Sequence, residues 1–170
     1  RVMAKLIDQL LILAKADTNE EKLDISEFSF SEVVENVCNS MEVIAKNKNI
    51  YFITNIEENI VLKADYDKMR RLAVILVDNA VKYTEKGAVT VTLKTDKNKK
   101  IFCVEDTGIG ISQKDLYRIF DRFYRADKAR HREGGTGLGL SIAKWIADKH
   151  KYSLTVESTI NEGSKFTLRM

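Results

Sequence analysis

Glu105-Asp-Thr-Gly-Ile-Gly-Ile111 follows directly on an apolar run, Ile101-Phe-Cys-Val104. The run reads as a buried strand, and the two glycines let the chain turn sharply where that strand ends. A strand ending on a carboxylate and a glycine turn is a common way to hold a small polar ligand. It is equally a strand whose Asp106 caps the next helix. The heptapeptide alone leaves both readings open, and the rest of the chain decides between them.

The 170 residues suffice for one domain, or one domain with an appendage. A hydrophobic fraction of 44% supports a real core, and with no proline there is no proline-rich linker. No apolar run approaches the roughly 20 residues that span a bilayer. Arg1-Val-Met opens an amphipathic segment, without the cleavage pattern of a secretory signal. Cys38 and Cys103 lack metal-site spacing, and a reducing compartment fits them better than a disulfide scaffold. The net charge of +3 is concentrated: residues 112–136 hold seven basic and four acidic side chains, while the remainder holds 21 of each sign. A local basic patch between two glycine clusters points to a compact anionic ligand rather than to a long polyanion such as nucleic acid.

In residues 1–16, Val2, Leu6, Leu10 and Leu13 recur at helical steps with Met3, Ile7 and Ala14. They predict an amphipathic helix that stops at the polar run Asp17-Thr-Asn-Glu-Glu-Lys22. So short a helix needs a packing partner, either its own domain or a bundle that begins upstream. Ile25-Ser-Glu-Phe-Ser-Phe30 alternates as a strand. Ser31 then reads as an N-cap for a helix with Val33, Val34, Val37, Met41, Ile44 and Ala45 on its apolar face. Two short strands follow, Ile50-Tyr-Phe-Ile-Thr54 and Ile60-Val-Leu-Lys-Ala64, and Asp65 caps a helix reaching about Tyr83. That helix should bury Met69, Leu72, Ala73, Leu76 and Ala80. Residues 88–93 and 100–104 make a hairpin around Lys97-Asn-Lys-Lys100. A short helix, a basic loop and Gly134-Gly-Thr-Gly-Leu-Gly-Leu140 come next. A helix over 141–150 with Ile142, Trp145 and Ile146 inward precedes two last strands, 153–157 and 164–168. Paired consecutive strands between single helices predict an α+β domain, a mixed or antiparallel sheet with helices on one face, not a doubly wound parallel sheet.

Asn79, Lys82 and Tyr83 stand at i, i+3 and i+4 and share one face of the central helix. An amide oxygen amid apolar neighbours is costly unless satisfied, and it suits a hard cation such as Mg²⁺. Gly135-Thr-Gly-Leu-Gly139 precedes a helix, where bare backbone and the helix dipole favour negative charge. The spacing is not that of a dinucleotide fingerprint, and neither a P-loop nor a eukaryotic-type kinase signature is present.

Four blocks in fixed order now carry a resemblance: Asp78-Asn-Ala-Val-Lys-Tyr-Thr84, Asp106-Thr-Gly-Ile-Gly-Ile111, Ile119-Phe-Asp-Arg-Phe-Tyr-Arg125 and Gly135-Thr-Gly-Leu-Gly-Leu140. Together with the closing Glu162-Gly-Ser-Lys-Phe-Thr-Leu168 they resemble the N box, first glycine box, F box, second glycine box and last hairpin of sensor histidine kinases. This is one branch of the ATPase superfamily that also holds DNA gyrase, Hsp90 and MutL. The resemblance implies a two-layer α/β sandwich of the Bergerat type, with a mixed, mostly antiparallel sheet and three helices on one face. It divides the chain into residues 1–17, the end of the second helix of a dimerisation and phosphoacceptor bundle, a linker over 18–23 and a catalytic ATP-binding domain over 24–170.

By motif, Asn79 would ligate Mg²⁺, Lys82 would contact phosphate and Tyr83 would line the ATP site. Asp106 would accept from the adenine amino group, with Gly108, Gly110 and Ile111 shaping its pocket. Residues 112–136 would form a lid in which Tyr124 and Arg125 reach the nucleotide, Arg125 at the terminal phosphate. Gly135, Thr136, Gly137, Leu138, Gly139 and Leu140 would cradle the phosphates, and Thr167 would support the adenine through water. Asn79, Lys82 and Arg125 form the implied catalytic set of a protein-histidine kinase using ATP and Mg²⁺.

Two features depart from the family pattern. Ile75 stands where members often carry Asn, His or Glu, so hydrolysis of ATP should be poor. Neither His131 nor His150 is followed by an acidic residue, so the phosphoacceptor should lie upstream. The implied partners are the chain's own upstream dimerisation domain, in a homodimer, and the receiver domain of a response regulator. The implied setting is the cytoplasmic part of a bacterial membrane sensor, itself a phosphoprotein. An ATP-binding module without transfer activity and a hydrolytic clamp of the same fold are the alternatives.

Overall fold

The computed structural model describes Ile7, residues 22–126 and residues 135–170. The expected first helix and most of the linker therefore lie outside the described residues, as does the middle of the lid. The described elements run β1 (Ile25–Ser29), α1 (Phe30–Asn47), β2 (Tyr51–Ile56), β3 (Val61–Asp65), α2 (Tyr66–Tyr83), β4 (Ala88–Asp96), β5 (Lys99–Asp106), α3 (Gln113–Leu116), α4 (Gly139–Lys149), β6 (Ser153–Thr159) and β7 (Gly163–Arg169). A five-stranded sheet has the order β2-β4-β5-β7-β6, with β2 and β4 parallel and the other neighbours antiparallel. The consecutive strands β2 and β3 do not pair with each other. β3 turns away to form a separate antiparallel ribbon with β1.

Register across the large sheet lines up three rows on its core face. Leu93, Phe102, Leu168 and Leu154 form one row and Val91, Val104, Phe166 and Val156 the next. The third row begins with Val89 and then turns polar, through Asp106, Ser164 and Ser158. The helices supply the opposite wall of the core, with Phe30, Val34 and Val37 from α1, Met69, Leu72 and Leu76 from α2, and Ile142 and Ile146 from α4 all buried. Phe30 meets Phe102 edge-on at 5.7 Å between ring centroids and fixes the start of α1 over β5. The polar third row is where this packing stops.

Two caps show how local sequence sets the helix ends. Asp65 caps α2 as expected: its carboxylate accepts from the backbone N–H of Lys68 at 3.1 Å and from Lys68 Nζ at 2.9 Å. Burial pushes the Asp65 carboxyl up, but Lys68 and the N–H of Asp24 outweigh it, so the group sits below the ordinary carboxylate range. Ser31 does not cap α1. Ser29 does, accepting from Glu32 N–H. Ser31 lies buried one turn in, donating to the Glu57 carbonyl at 2.6 Å and accepting from Ile60 N–H at 3.0 Å. A buried hydroxyl needs such partners, and only the 57–60 turn supplies them. The stripe of α1 also differs from its periodicity. Cys38 is buried whereas Ile44 is half exposed, although the next residue, Ala45, is fully buried. The five expected residues of the α2 stripe are all buried. No helix among the described residues is long and apolar enough to cross a membrane.

Candidate active site

A cavity of about 780 Å³ opens where the sheet's third row turns polar, between α2, α4, the first glycine box and the base of the lid. α2 forms one wall. Asn79, Lys82 and Tyr83 line it together, as their spacing requires. Lys82 Nζ also lies 5.5 Å from the centre of the Tyr83 ring. Ile75 lines the same wall one turn earlier.

Asp106 ends β5 at the cavity floor and is only 7% exposed. Its Oδ1 accepts from Gly108 N–H at 2.8 Å, and no cation pairs with it among the described residues. Burial therefore dominates and pushes its pKa up to about 6, although the N–H groups of Gly108 and Ser164 oppose the rise and Glu105 adds to it. A buried carboxylate with free acceptor capacity and no counter-ion is poised to take a neutral donor.

The glycine box is held from both sides. Ile109 donates to the Tyr83 carbonyl at 3.3 Å, Asn161 donates to Ile109 at 2.9 Å, and Ile111 donates to the Ser158 hydroxyl at 2.8 Å. Gly110 is left-handed at φ +64° and lies so close to the Thr159 carbonyl that no side chain fits.

Across the cavity, the base of the lid is tied down by a carboxylate. Asp115, itself buried, accepts from the Ser112 hydroxyl at 2.6 Å and from the Tyr124 hydroxyl at 2.5 Å. Those two hydroxyls hold its carboxyl below the ordinary range. The Arg118 guanidinium lies 4.3 Å over the Tyr124 ring. The next residue, Arg125, lines the cavity. A point at the Cβ position of Gly135 would lie 3.0 Å from Lys82 Nζ and 3.3 Å from Arg125 Nε. The two cations thus converge on the second glycine box. That box leads into α4 with no side-chain cap on Leu138, and Gly139 and Leu140 face the cavity. Gly137, at φ +73°, abuts the backbone of Phe123, itself left-handed at φ +61°. The F box and the second glycine box therefore pack backbone to backbone.

Asn79, Lys82, Tyr83, Asp106, Gly110, Ile111, Tyr124, Arg125, Gly135, Thr136, Gly137, Gly139 and Leu140 all reach the cavity wall. Three expected residues do not. Gly108 is buried beneath the turn, against the Tyr83 carbonyl, and Leu138 is wholly buried in the core. Thr167 is the correction that matters. It alternates with Phe166 and Leu168, points away from the helices and donates weakly to Cys103 Sγ at 3.8 Å. Ser164, the register partner of Asp106, lines the cavity instead and shares a 2.9 Å hydrogen bond with Ser158. The period of two, counted back from Phe166, was the signal for it.

The sequence that builds this site matches a family model. The family described as histidine kinase-, DNA gyrase B-, and HSP90-like ATPase matches residues 64–170. The chain belongs to this family of ATPases. Among curated relatives of this ATPase domain, the sensor histidine kinase YkoH of Bacillus subtilis is 39% identical over 168 residues, 98% of this chain. The match spans 36% of YkoH, so the chain covers about a third of that relative's length. The catalytic domain of histidine kinase ThkA superposes with a TM-score of 0.75 at 27% identity, covering 87% of this chain and 95% of that one. Full-length ShkA, solved in complex with AMPPNP, shares the fold with a TM-score of 0.85 at 24% identity, over 98% of this chain and 35% of ShkA. The α+β sandwich with an open mixed sheet is the fold of these ATPase domains.

Proposed function

We propose that this chain is the catalytic domain of a sensor histidine kinase, which binds Mg-ATP and transfers its γ-phosphoryl group to a histidine on a dimerisation domain. The carrying observation is a single cavity with a buried, uncompensated carboxylate at one end and two converging cations at the other. Asp106 accepts from the adenine amino group, and guanine would instead oppose it with an acceptor. Lys82, Arg125 and the N-terminus of α4 neutralise the phosphates, and Arg125 favours the charge that develops as the γ-phosphoryl leaves. ShkA's complex with AMPPNP supports the nucleotide assignment.

The donor set fits Mg²⁺. Asn79 offers one amide oxygen, and no group of three His, Cys, Asp or Glu side chains that could hold a metal occurs among the described residues. A cation that takes most of its ligands from phosphates and water needs no more from the protein. Bound there, Mg²⁺ would neutralise phosphate charge. Ile75 places a hydrocarbon where a base would have to stand to activate water, which favours transfer over hydrolysis. The partners of the whole protein are its dimerisation domain and the receiver domain of a response regulator. Its setting is the cytoplasmic side of a bacterial membrane.

The experiment supplies a histidine-bearing dimerisation domain in trans with radiolabelled ATP. Acid-labile phosphohistidine that disappears in Asn79→Ala supports transfer. Tight Mg-ATP binding without phosphohistidine overturns it in favour of a binding module, and fast release of free phosphate overturns it in favour of a hydrolytic clamp.

A further inference from the structure

The last turn of α2 carries Lys82 and Tyr83 to the cavity, and its final carbonyls have no partners within the helix. Each finds one elsewhere. The Ala80 carbonyl accepts from the Thr84 N–H at 3.1 Å and the Thr84 hydroxyl at 2.8 Å. The Tyr83 carbonyl accepts from Ile109 N–H. The carbonyls of Val81, Thr84 and Lys82 accept from Lys48 Nζ at 2.6, 2.8 and 3.3 Å. Lys48 is the C-cap of α1, so the ammonium comes from a neighbouring helix end.

A lysine ammonium normally keeps its charge in water, whereas that of Lys48 is turned onto backbone carbonyls of the neighbouring helix end. Here the negative end of α2 is met by a cation supplied from the C-terminal end of α1. Rings of carbonyl oxygens also bind potassium and ammonium ions, by replacing the hydration shell. We infer that Lys48 is a positioning residue of the nucleotide site: its ammonium takes the place of a bound monovalent cation and fixes the backbone from which Lys82 and Tyr83 project. The inference deepens the ATP-binding reading and rests on it for its effect on ligand affinity. It also explains why the end of α2 keeps its shape although one side faces an open cavity.

Lys48→Ala would leave the three carbonyls bare and leave room for a small cation. The 170-residue chain and this variant are compared by calorimetric titration with Mg-ATP, in choline chloride and in ammonium chloride of equal ionic strength. Losing a charge-assisted bond predicts binding about tenfold weaker in choline. Ammonium at about 100 mM should restore most of the loss, while the parent binds equally in both salts. Thermal melts without nucleotide should show ammonium raising the melting temperature of the variant alone. Affinity within twofold of the parent in choline, or a loss that ammonium leaves unchanged, overturns the inference. If the alanine variant does not fold, Lys48→Met keeps the stem and removes only the charge, and a Kd within twofold of the parent overturns the inference there. A parent that binds no ATP would sink the nucleotide reading, yet the ammonium-specific melt would still test the carbonyl nest.

Discussion

Replacing Asp106 by Asn is expected to stabilise the ligand-free domain at about pH 7.5 while weakening its hold on ATP. Burial raises the carboxyl from 3.8 to about 6, with no cation among the described residues to offset it. At 1.36 kcal/mol per pH unit, the ionised group costs the fold about 3 kcal/mol. The sign follows from protons bound. Between about pH 3.8 and 6 the folded chain holds a proton that the unfolded chain has released, so the penalty is absent below that window and complete above it. Asparagine removes the penalty, but its neutral amide oxygen is a weaker acceptor for the Gly108 N–H than the carboxylate it replaces. That mismatch returns about 1 kcal/mol. The net gain at about pH 7.5 should be about 2 kcal/mol, or roughly 4–8 °C in a domain of this size. Below about pH 4 the gain should vanish. Thermal and urea unfolding of both proteins at the two pH values measures the difference. A variant less stable than the parent at about pH 7.5, or a difference that does not change with pH, would refute the account of Asp106 as a buried, uncompensated charge. In the parent, ATP affinity should fall as pH drops below about 6, because protonation spends the acceptor that adenine needs. Preference for ATP over GTP should be on the order of 10⁴. Equal affinities would remove Asp106 from the base pocket.

Arg125→Ala should lower phosphotransfer on the order of 10²-fold while changing the Kd for Mg-ATP far less, because its charge matters most as the γ-phosphoryl departs; quench-flow transfer beside equilibrium binding would show it, and an unchanged transfer rate would exclude Arg125 from the site. Ser164→Ala should weaken ATP binding about tenfold and Thr167→Val should not, since only Ser164 shares the face of Asp106. The reverse ranking in a binding assay would mean that the third row of the sheet does not hold the base. Tyr124→Phe unties the base of the lid from Asp115 and should reduce kcat for transfer about tenfold with little effect on KM for ATP. A change confined to KM would instead make the Tyr124 ring a direct nucleotide contact. Gly110→Ala forces a side chain onto the Thr159 carbonyl at a left-handed φ, and should destabilise the domain by roughly 2 kcal/mol or more in urea unfolding.

Element identity was legible because it is written locally. The 3.6-residue stripe of α2 and the cap at Asp65 predict a helix that the structure reproduces from Tyr66 to Tyr83. The same helical spacing placed Asn79, Lys82 and Tyr83 on one wall. Where two local solutions compete, sequence chose the wrong serine at the start of α1. Ser29 and Ser31 are both good caps, and only the distant 57–60 turn decides that Ser31 is wanted elsewhere. The carry-over of Thr167 failed for a different reason. The motif names a hairpin, but which of its hydroxyls faces the cavity depends on strand phase.

The sequence by itself determined the order of elements, the helix cap at Asp65, and the blocks of residues that build one end of the site or the other. These are set by side-chain period and backbone freedom within a few residues. Tertiary structure decided what no local pattern carries. It parted β2 from β3 into different sheets and aligned Asp106, Ser164 and Ser158 in one polar row at the edge of an apolar face. It brought Lys48 from α1 to the carbonyls of α2, across more than thirty residues. The same holds for the glycine box at Asp106. Its turn is written in residues 105–111, but the raised pKa of Asp106 comes from burial, which only the packed domain provides.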